Sequence, residues 1–178
     1  MSKPTLFLML GYPGAGKTTA SRIIHKLTGA EHLWADRERK KMFTDPTYTH
    51  TENLKLYDQL NKDTDALLAE GKSVIFDTNF NFYKDREKLR EIGSKHGVHT
   101  VVVWVTVPKD IARERATKDA HKQDTRVLGD MPVEHFERMS NNLQEPRSSE
   151  DFIHLDGTRI DMPTVAHAIE QHAKTHEA

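Results

Sequence analysis

The chain carries the glycine-rich segment Gly11-Tyr12-Pro13-Gly14-Ala15-Gly16-Lys17-Thr18 directly after the apolar run Leu6-Phe7-Leu8-Met9-Leu10. The glycines leave the backbone free of side chains, so that several N–H groups can converge on a phosphate chain. A helix that begins near Lys17 would place the positive end of its dipole against that anion. The segment therefore predicts a phosphate-binding loop between a buried strand and a helix.

Each polar residue of this loop has a predicted task. Lys17 would reach the β- and γ-phosphates of a nucleotide, and the Thr18 hydroxyl would hold Mg²⁺ beside them. A glycine-rich turn that binds nothing would explain Gly11 and Gly16, but it gives no reason for Lys-Thr at the start of the helix. The residues predicted to bind the nucleotide are Gly11, Tyr12, Pro13, Gly14, Ala15, Gly16, Lys17, Thr18 and Thr19.

The composition narrows the function classes. A chain of 178 residues suits one domain over 1–178, and its net charge of -1 gives no overall attraction to nucleic acid or anionic lipid. The absence of cysteine excludes disulfides, thiolate metal sites and a cysteine nucleophile. The first apolar run is too short for a signal or membrane segment, so we expect a cytoplasmic protein without a membrane partner. Nothing in the sequence indicates an obligate protein partner.

Strand and helix patterns alternate along the chain, which predicts an α/β fold with a parallel sheet of about five strands and helices on both faces. Gly29, Gly71 and Gly97 are expected to end the first three long helices, and Pro163 to open the last one. The second long helix is expected to bury one side. The predicted strands are 5–10, 32–36, 73–77, 100–107 and 152–155, and the predicted buried side of that helix carries Leu54, Tyr57, Leu60, Leu67 and Leu68.

Polar residues follow the second and third predicted strands. Ligands of such sheets bind at the carboxyl ends of the strands, where Asp36 and Asp77-Thr78-Asn79 would meet the phosphate-binding loop. Asp77 after Val-Ile-Phe is typical of an acid that orients a water around Mg²⁺, or alternatively caps the next turn. Asp36 could serve as a base or as the N-cap of the segment 37–43.

Together these motifs resemble the small P-loop kinases, AAA-type ATP-binding kinases related to the kinase domain of polynucleotide kinase, the zeta toxins and chloramphenicol phosphotransferase. The resemblance covers nearly the whole chain in motif order. It rests on residues 11–18, on Asp36-Arg37-Glu38-Arg39, on Phe76-Asp77-Thr78-Asn79 and on a basic segment after the fourth strand. It implies a three-layer P-loop NTPase fold with a helical lid, ATP and Mg²⁺, and a hydroxyl-bearing acceptor such as a nucleotide or nucleic-acid end.

The resemblance also implies roles for single residues. In polynucleotide kinase a D-x-x-R after strand two supplies the base and an arginine that holds the acceptor's phosphate, and Asp36 and Arg39 match that spacing. A carboxylate beside a hydroxyl orients it and accepts its proton as the bond to phosphorus forms. The expected acceptor-binding residues are Asp36, Arg39, Asp77 and Asn79, and the expected metal-binding residues are Thr18 and Asp77.

The matching lid segment is 109–130, whose basic side chains would surround the migrating phosphoryl group. Related kinases often show R-x-x-x-R here, but the second position counted from Arg115 is Asp119. We therefore expect Arg115 to be one catalytic arginine and Arg126 to replace the missing one, beside Lys17 and Asp36. Surface salt bridges are the alternative for both arginines.

The expected function is an ATP-dependent kinase that phosphorylates a hydroxyl of a small molecule or a nucleotide-like acceptor. A polynucleotide 5′-hydroxyl kinase is the alternative within enzymes, and a nucleotide-hydrolysing switch without acceptor is the alternative of another class. Switches read guanine with N-K-x-D, whereas the segment 61–65 is one residue out of register and lies in a predicted helix.

Eleven histidines raise the question of a metal site. His167, His172 and His176 lie on the predicted last helix, and only His172 and His176 have i, i+4 spacing. Because no H-E-x-x-H accompanies them, we expect structural or solvated histidines.

Overall fold

The computed structural model describes residues 3–177, with side chains for residues 3–175. Within this part of the chain, five strands form one sheet in the order β2-β3-β1-β4-β5. Every neighbouring pair is parallel, so the carboxyl ends of all strands lie along one edge. The strands are β1 Thr5–Leu10, β2 Glu31–Trp34, β3 Val74–Asp77, β4 His99–Thr106 and β5 Phe152–Asp156.

Helices connect the strands and cover both faces of the sheet, which confirms the predicted three-layer α/β fold. The helices are α1 Lys17–Thr28, α2 Ala35–Met42, α3 His50–Ala69, α4 Tyr83–Lys95, α5 Lys109–Thr117, α6 Val133–Asn141 and α7 Met162–Glu177, with a short 3₁₀ helix at Ala120–Lys122. Among the residues described, no helix combines the length and apolar character needed to cross a membrane.

The sheet separates two apolar layers. Along β1, Leu6, Leu8 and Leu10 face the layer that contains leucines of α3 and α4. Phe7 and Met9 face the opposite layer, which contains residues of α1 and α7. Because both faces are covered, the central strands read as continuous apolar runs rather than as alternating patterns.

Besides shifts of one residue at the start of β2 and at the ends of β3, β4 and β5, two details differ from the sequence predictions. The second strand ends at Trp34 instead of continuing to Asp36, because the helix-forming run that follows extends back to Ala35. Asp36 thus lies in the first turn of α2. In α3, Leu54 is 58% exposed, so its prediction as a buried residue was wrong. The buried stripe of α3 is Glu52, Leu56, Leu60, Thr64 and Leu68.

A buried ion pair joins α4 to the segment before β5. Arg86 is fully buried and contacts Glu150 through two bonds, Nε to Oε1 at 2.8 Å and Nη2 to Oε2 at 2.7 Å. Arg90 adds a third bond to Oε1 at 2.6 Å. Because Arg86 Nη1 also donates to the Phe80 carbonyl at 2.9 Å, the pair fixes the turn that follows β3.

Candidate active site

The phosphate-binding loop joins β1 to α1 and is held by elements distant in sequence. Gly16 precedes α1 with φ 106°, and no side chain caps the first turn of the helix. The first N–H groups of a helix have no partner within it, so these are available to an anion. A side chain at Gly14, where φ is 81°, would collide with the Ala112 carbonyl of α5, and one at Gly157 after β5 would collide with the carbonyl of Ala15.

Lys17 is the first residue of α1, and its side chain lies against the phosphate-binding loop. The residue is 8% exposed, and Nζ donates to the carbonyl oxygens of Gly11 at 2.9 Å and Tyr12 at 2.8 Å. Burial lowers the pKa of Lys17 to about 8, although the carboxylates of Asp77 and Asp36 oppose that shift. The ammonium group is therefore close to its titration at physiological pH and lies in the field of both acids.

Asp77 ends β3 and is almost fully buried. Its Oδ2 lies 2.9 Å from Nε2 of His32, whose ring stacks on Trp34 at a centroid separation of 6.0 Å. His32 thus fixes the carboxylate of Asp77. Thr18 and Asp77 line the same cavity and offer the oxygen ligands that Mg²⁺ prefers, so this donor pair fits the ion.

Asp36 lines this cavity from the first turn of α2, with Trp34 rather than Asp36 as the N-cap residue. The structure therefore contradicts the alternative that Asp36 is the N-cap of the segment 37–43. Burial raises the pKa of Asp36, and the guanidinium of Arg126 opposes the shift while Asp77 adds to it. A carboxylate whose pKa is raised takes up a proton more readily than an ordinary one, as a general base must.

Arg39 is buried and paired within the protein. Its Nη1 contacts Glu52 Oε1, its Nη2 donates to Asn53 Oδ1 at 2.6 Å, and its guanidinium lies 4.6 Å from the centre of the Tyr48 ring. Burial would raise the pKa of Glu52, but the Thr47 N–H and the Arg39 side chain hold that pKa at about 2. Arg39 is predicted to hold the acceptor, whereas its charge is matched in the structure by Glu52.

The residues after β3 form another wall of the cavity. The Thr78 hydroxyl bonds the Tyr57 hydroxyl of α3 at 2.7 Å. Among the described side chains, Asn79 Oδ1 is a buried acceptor without a protein hydrogen bond. Since buried polar groups are nearly always paired, this oxygen is a candidate contact for a ligand in the cavity.

The predicted lid segment divides into a fixed base and an irregular part. Arg115 Nη1 donates to the Gly157 carbonyl at 3.1 Å, which places this arginine beside the phosphate-binding loop. Arg126 donates to the Ala116 carbonyl at 3.2 Å, and its charge acts on both Lys17 and Asp36. Arg113 faces the surface instead and lies 3.6 Å from Glu137.

These walls enclose a cavity of ≈ 1590 Å³ at the carboxyl edge of the sheet. A site for one small ligand usually measures about 300–1,000 Å³, so the space can hold a nucleotide and a second molecule.

Residues 6–146, more than half of the chain, match the AAA domain family. The chain belongs to the AAA domain family.

Solved structures share the fold of this AAA domain. A protein from Chloroflexus aurantiacus with a provisional kinase assignment has a TM-score of 0.77 at 20% identity, covering 96% of this chain and 99% of that one. A gluconokinase from Sinorhizobium meliloti has a TM-score of 0.71 at 19% identity, covering 99% and 96%. The Mycobacterium tuberculosis APS kinase, solved with AMPPNP and APS, has a TM-score of 0.67 at 16% identity, covering 96% and 98%. None of the curated proteins matches the sequence.

The family and these folds confirm the resemblance to small P-loop kinases. The sequence predictions gave no site role to three residues, namely Tyr57, which lines the cavity, His32, which contacts Asp77, and Glu52, which pairs with Arg39. The sequence does contain a signal for Glu52, because Thr49-His50-Thr51-Glu52 is a capping-box pattern that marks the start of a helix. In the structure the Thr49 hydroxyl accepts from the Glu52 N–H at 3.3 Å. His32 had none, since its contact with Asp77 depends on the register between β2 and β3.

Proposed function

We propose that this AAA domain is an ATP-dependent kinase that transfers the γ-phosphoryl group to a hydroxyl of a small polar molecule. The observation that carries the proposal is the Asp36 carboxyl, whose pKa is raised, in one cavity with Lys17 and Asp77. A binding protein or a switch has no need for a base at that position. The size of the cavity supports a second substrate beside the nucleotide.

The proposed reaction is a direct displacement at phosphorus. Asp36 accepts the proton of the acceptor hydroxyl as its oxygen bonds to the γ-phosphorus, and the bond from that phosphorus to the bridging oxygen breaks to release ADP. Lys17 and the uncapped first turn of α1 hold the phosphates. Arg126 and Arg115 stabilise negative charge that spreads over the migrating group.

Thr18 and Asp77 would hold Mg²⁺, with His32 fixing one oxygen of the carboxylate. When bound, the ion neutralises charge on the nucleotide phosphates. Lys17 supplies a second, protein-borne positive charge in the same place.

The acceptor wall supports a small polar substrate rather than a nucleic-acid end. It offers amides and hydroxyls, beside the charged side chains of Asp58, Lys84, Asp85, Lys88 and Arg138, so the preference rests on the state of Arg39. Arg39, the group that would hold an acceptor phosphate in a polynucleotide kinase, already bonds Glu52 and Asn53. The cavity residues that would contact the acceptor include Tyr48, Asn53, Tyr57, Asn61, Asn79 and Asn81.

A test of the proposal is ADP formation with and without acceptors, using sugars, sugar acids, nucleosides and a 5′-hydroxyl oligonucleotide. We expect ADP formation to require one of the small hydroxyl compounds, and ³¹P NMR to show the phosphate ester. Activity with the oligonucleotide alone would instead support a polynucleotide kinase. ADP formation unaffected by every compound would support a nucleotide switch.

The Asp36→Asn variant tests the base within that assay. We expect kcat to fall by at least about 10²-fold, as for the loss of a general base, with ATP affinity within about threefold of wild type. Glu38→Gln is the matched control, since Glu38 lies on the same helix and pairs with Lys41 at 2.9 Å. A kcat for Asp36→Asn within about threefold of wild type would show that Asp36 is not the base.

A further inference from the structure

A cluster of metal-ligand side chains lies at the amino edge of the sheet, opposite the cavity. His99 is the first residue of β4, Asp151 immediately precedes β5, and His172 lies on α7. Because all strands are parallel, this edge is separated from the phosphate-binding loop by the length of the strands. The cluster therefore takes no part in the proposed phosphoryl transfer.

The three side chains converge on one carboxylate. His99 Nε2 lies 2.6 Å from Asp151 Oδ2, and His172 Nε2 lies 2.9 Å from Oδ1 and 2.8 Å from Oδ2. One ligand atom from each residue lies within 4.8 Å of the other two. The two imidazole rings are 5.9 Å apart at their centres, so both direct a nitrogen towards the same space.

The donor set selects a class of cation. Two imidazole nitrogens and one carboxylate oxygen suit Zn²⁺ and related divalent transition metals, whereas Mg²⁺ and Ca²⁺ prefer oxygen ligands alone. Zinc bonds of about 2.0–2.2 Å in tetrahedral geometry separate neighbouring ligand atoms by about 3.3 Å. The imidazole-to-carboxylate separations of 2.6–2.9 Å need to open by about 0.4–0.7 Å to reach that value.

The elements that carry the ligands are already fixed relative to one another. β4 and β5 pair in register from Val102 with Phe152 onwards, and the Asp151 carbonyl accepts from the Val102 N–H at 2.9 Å. α7 packs on the same face of the sheet through Val165. His99 is the most exposed of the three ligands, which gives an ion access from solvent.

We propose that His99, Asp151 and His172 bind one divalent transition-metal ion of the zinc class, with water completing the shell. The ion joins α7 to the amino edge of β4 and β5, so its role is structural. His176, which shares i, i+4 spacing with His172, lies outside the residues whose side chains are described.

The direct test is titration of metal-free, tag-free protein with Zn²⁺ by calorimetry, since a histidine tag would bind the same ion. Excess Mg²⁺ is present throughout to occupy the oxygen ligands of the cavity. We expect one ion per chain with a micromolar or lower Kd, a higher Tm, and a tetrahedral visible spectrum when Co²⁺ replaces Zn²⁺. Absence of binding below about 100 μM Zn²⁺ would overturn the proposal and leave a hydrogen-bonded triad only.

Variants locate the site. His172→Gln and His99→Gln should each weaken Zn²⁺ binding more than about tenfold, the least that losing an outer-shell partner costs. The exposed His167→Gln on the same helix should bind as wild type. Unchanged binding in both ligand variants would overturn the assignment. If the variants do not fold, long-range ¹H–¹⁵N spectra of wild-type imidazoles decide, because Zn²⁺ must shift the resonances of His99 and His172.

Discussion

Among single residues, we expect Lys17 to couple nucleotide binding to pH. Its pKa is lowered to about 8, so the side chain is charged below that pH and neutral above it in the nucleotide-free protein. The phosphates bind the charged form. We expect the Kd for a non-hydrolysable ATP analogue to rise through pH 8 and to approach a tenfold increase per pH unit above it.

The matched variant for this prediction is Lys17→Met. It should bind the analogue more weakly at every pH, lose most phosphoryl transfer, and show a flatter pH dependence between pH 7.5 and 9.5. Calorimetric titrations across that range measure the slope. Equal slopes for wild type and Lys17→Met would show that another group controls binding.

In the proposed mechanism His32 is a positioning residue, because it contacts Asp77 and not the substrates. Its Nε2 lies 2.9 Å from the carboxylate, and removing such a partner of a metal-binding group typically costs about 10–100-fold. We expect His32→Ala to lower kcat within that range and to raise the Mg²⁺ concentration needed for half-maximal activity. His32→Asn, which keeps a donor, should recover part of the loss.

The control for His32 is His154→Gln, since His154 bonds Thr106 outside the cavity. It should leave both kcat and the Mg²⁺ dependence unchanged. A His32→Ala enzyme with a wild-type Mg²⁺ dependence would mean that the imidazole only supports the packing of Trp34.

At the level of elements, the proposed mechanism assigns to the segment 109–130 the positive charge that surrounds the migrating phosphoryl group. In the proposed mechanism Arg115, beside the phosphate-binding loop, and Arg126, whose charge acts on Asp36 and Lys17, stabilise the transition state more than they stabilise bound ATP. We expect the Arg115→Ala, Arg126→Ala double variant to lower kcat by at least about 10²-fold. ATP affinity should change much less than kcat.

Arg113→Ala is the control for the lid, because Arg113 pairs with Glu137 at the surface. Hydrogen exchange supplies an independent measurement, since residues 109–130 should gain protection when ATP analogue and acceptor bind. Full activity in the double variant, with unchanged exchange, would remove this segment from the mechanism.

Elements that depend on residue spacing along the chain could be predicted from the sequence. Features that depend on contacts between distant parts of the chain could not. The loop and α1 follow from glycine and lysine spacing within about twenty residues, and Gly29 ends the helix as expected, with φ 71°. The inner side of α3 does not follow from its own apolar spacing. Glu52 is buried there and Leu54 exposed, because Arg39 of another helix supplies the charge that pairs with Glu52.

The site shows the same division. Lys17, Asp36, Asp77 and Thr18 could be placed in one cavity from the sequence, because parallel strands bring their carboxyl ends to one edge. The contact of His32 with Asp77 could not, since it requires the actual register of β2 on β3. The cluster of His99 with His172 could not be predicted either, because it depends on how α7 packs near the start of β4.

For the whole molecule, Glu150 links stability to acid. Burial would raise its pKa, but Arg86, the Arg147 N–H and Arg90 hold the pKa at about 2, below the ordinary 4.5. A carboxyl whose folded pKa is lowered stabilises the protein above its unfolded pKa, and this contribution is lost as pH falls through the folded value. The stabilising contribution of Glu150 is therefore lost as the pH falls from about 4.5 to about 2.

We expect Glu150→Gln to lower the free energy of unfolding by about 2–4 kcal/mol at pH 7, and by less at pH 3. Urea denaturation at the two pH values measures the difference. The exposed Glu145→Gln should behave as wild type at both. An equal deficit for Glu150→Gln at pH 7 and pH 3 would exclude the ionised carboxylate as the source of stability.

The close approaches around the phosphate-binding loop have a thermodynamic consequence. The carbonyl of Ala112 in α5 leaves no room for a side chain at Gly14, and Gly157 lies equally close to Ala15, so the loop takes its shape when the sheet and helices assemble. The loss of backbone freedom belongs to folding, not to association. We expect a nucleotide to meet a loop of fixed shape and to displace water and the two carbonyl partners of Lys17 when it binds.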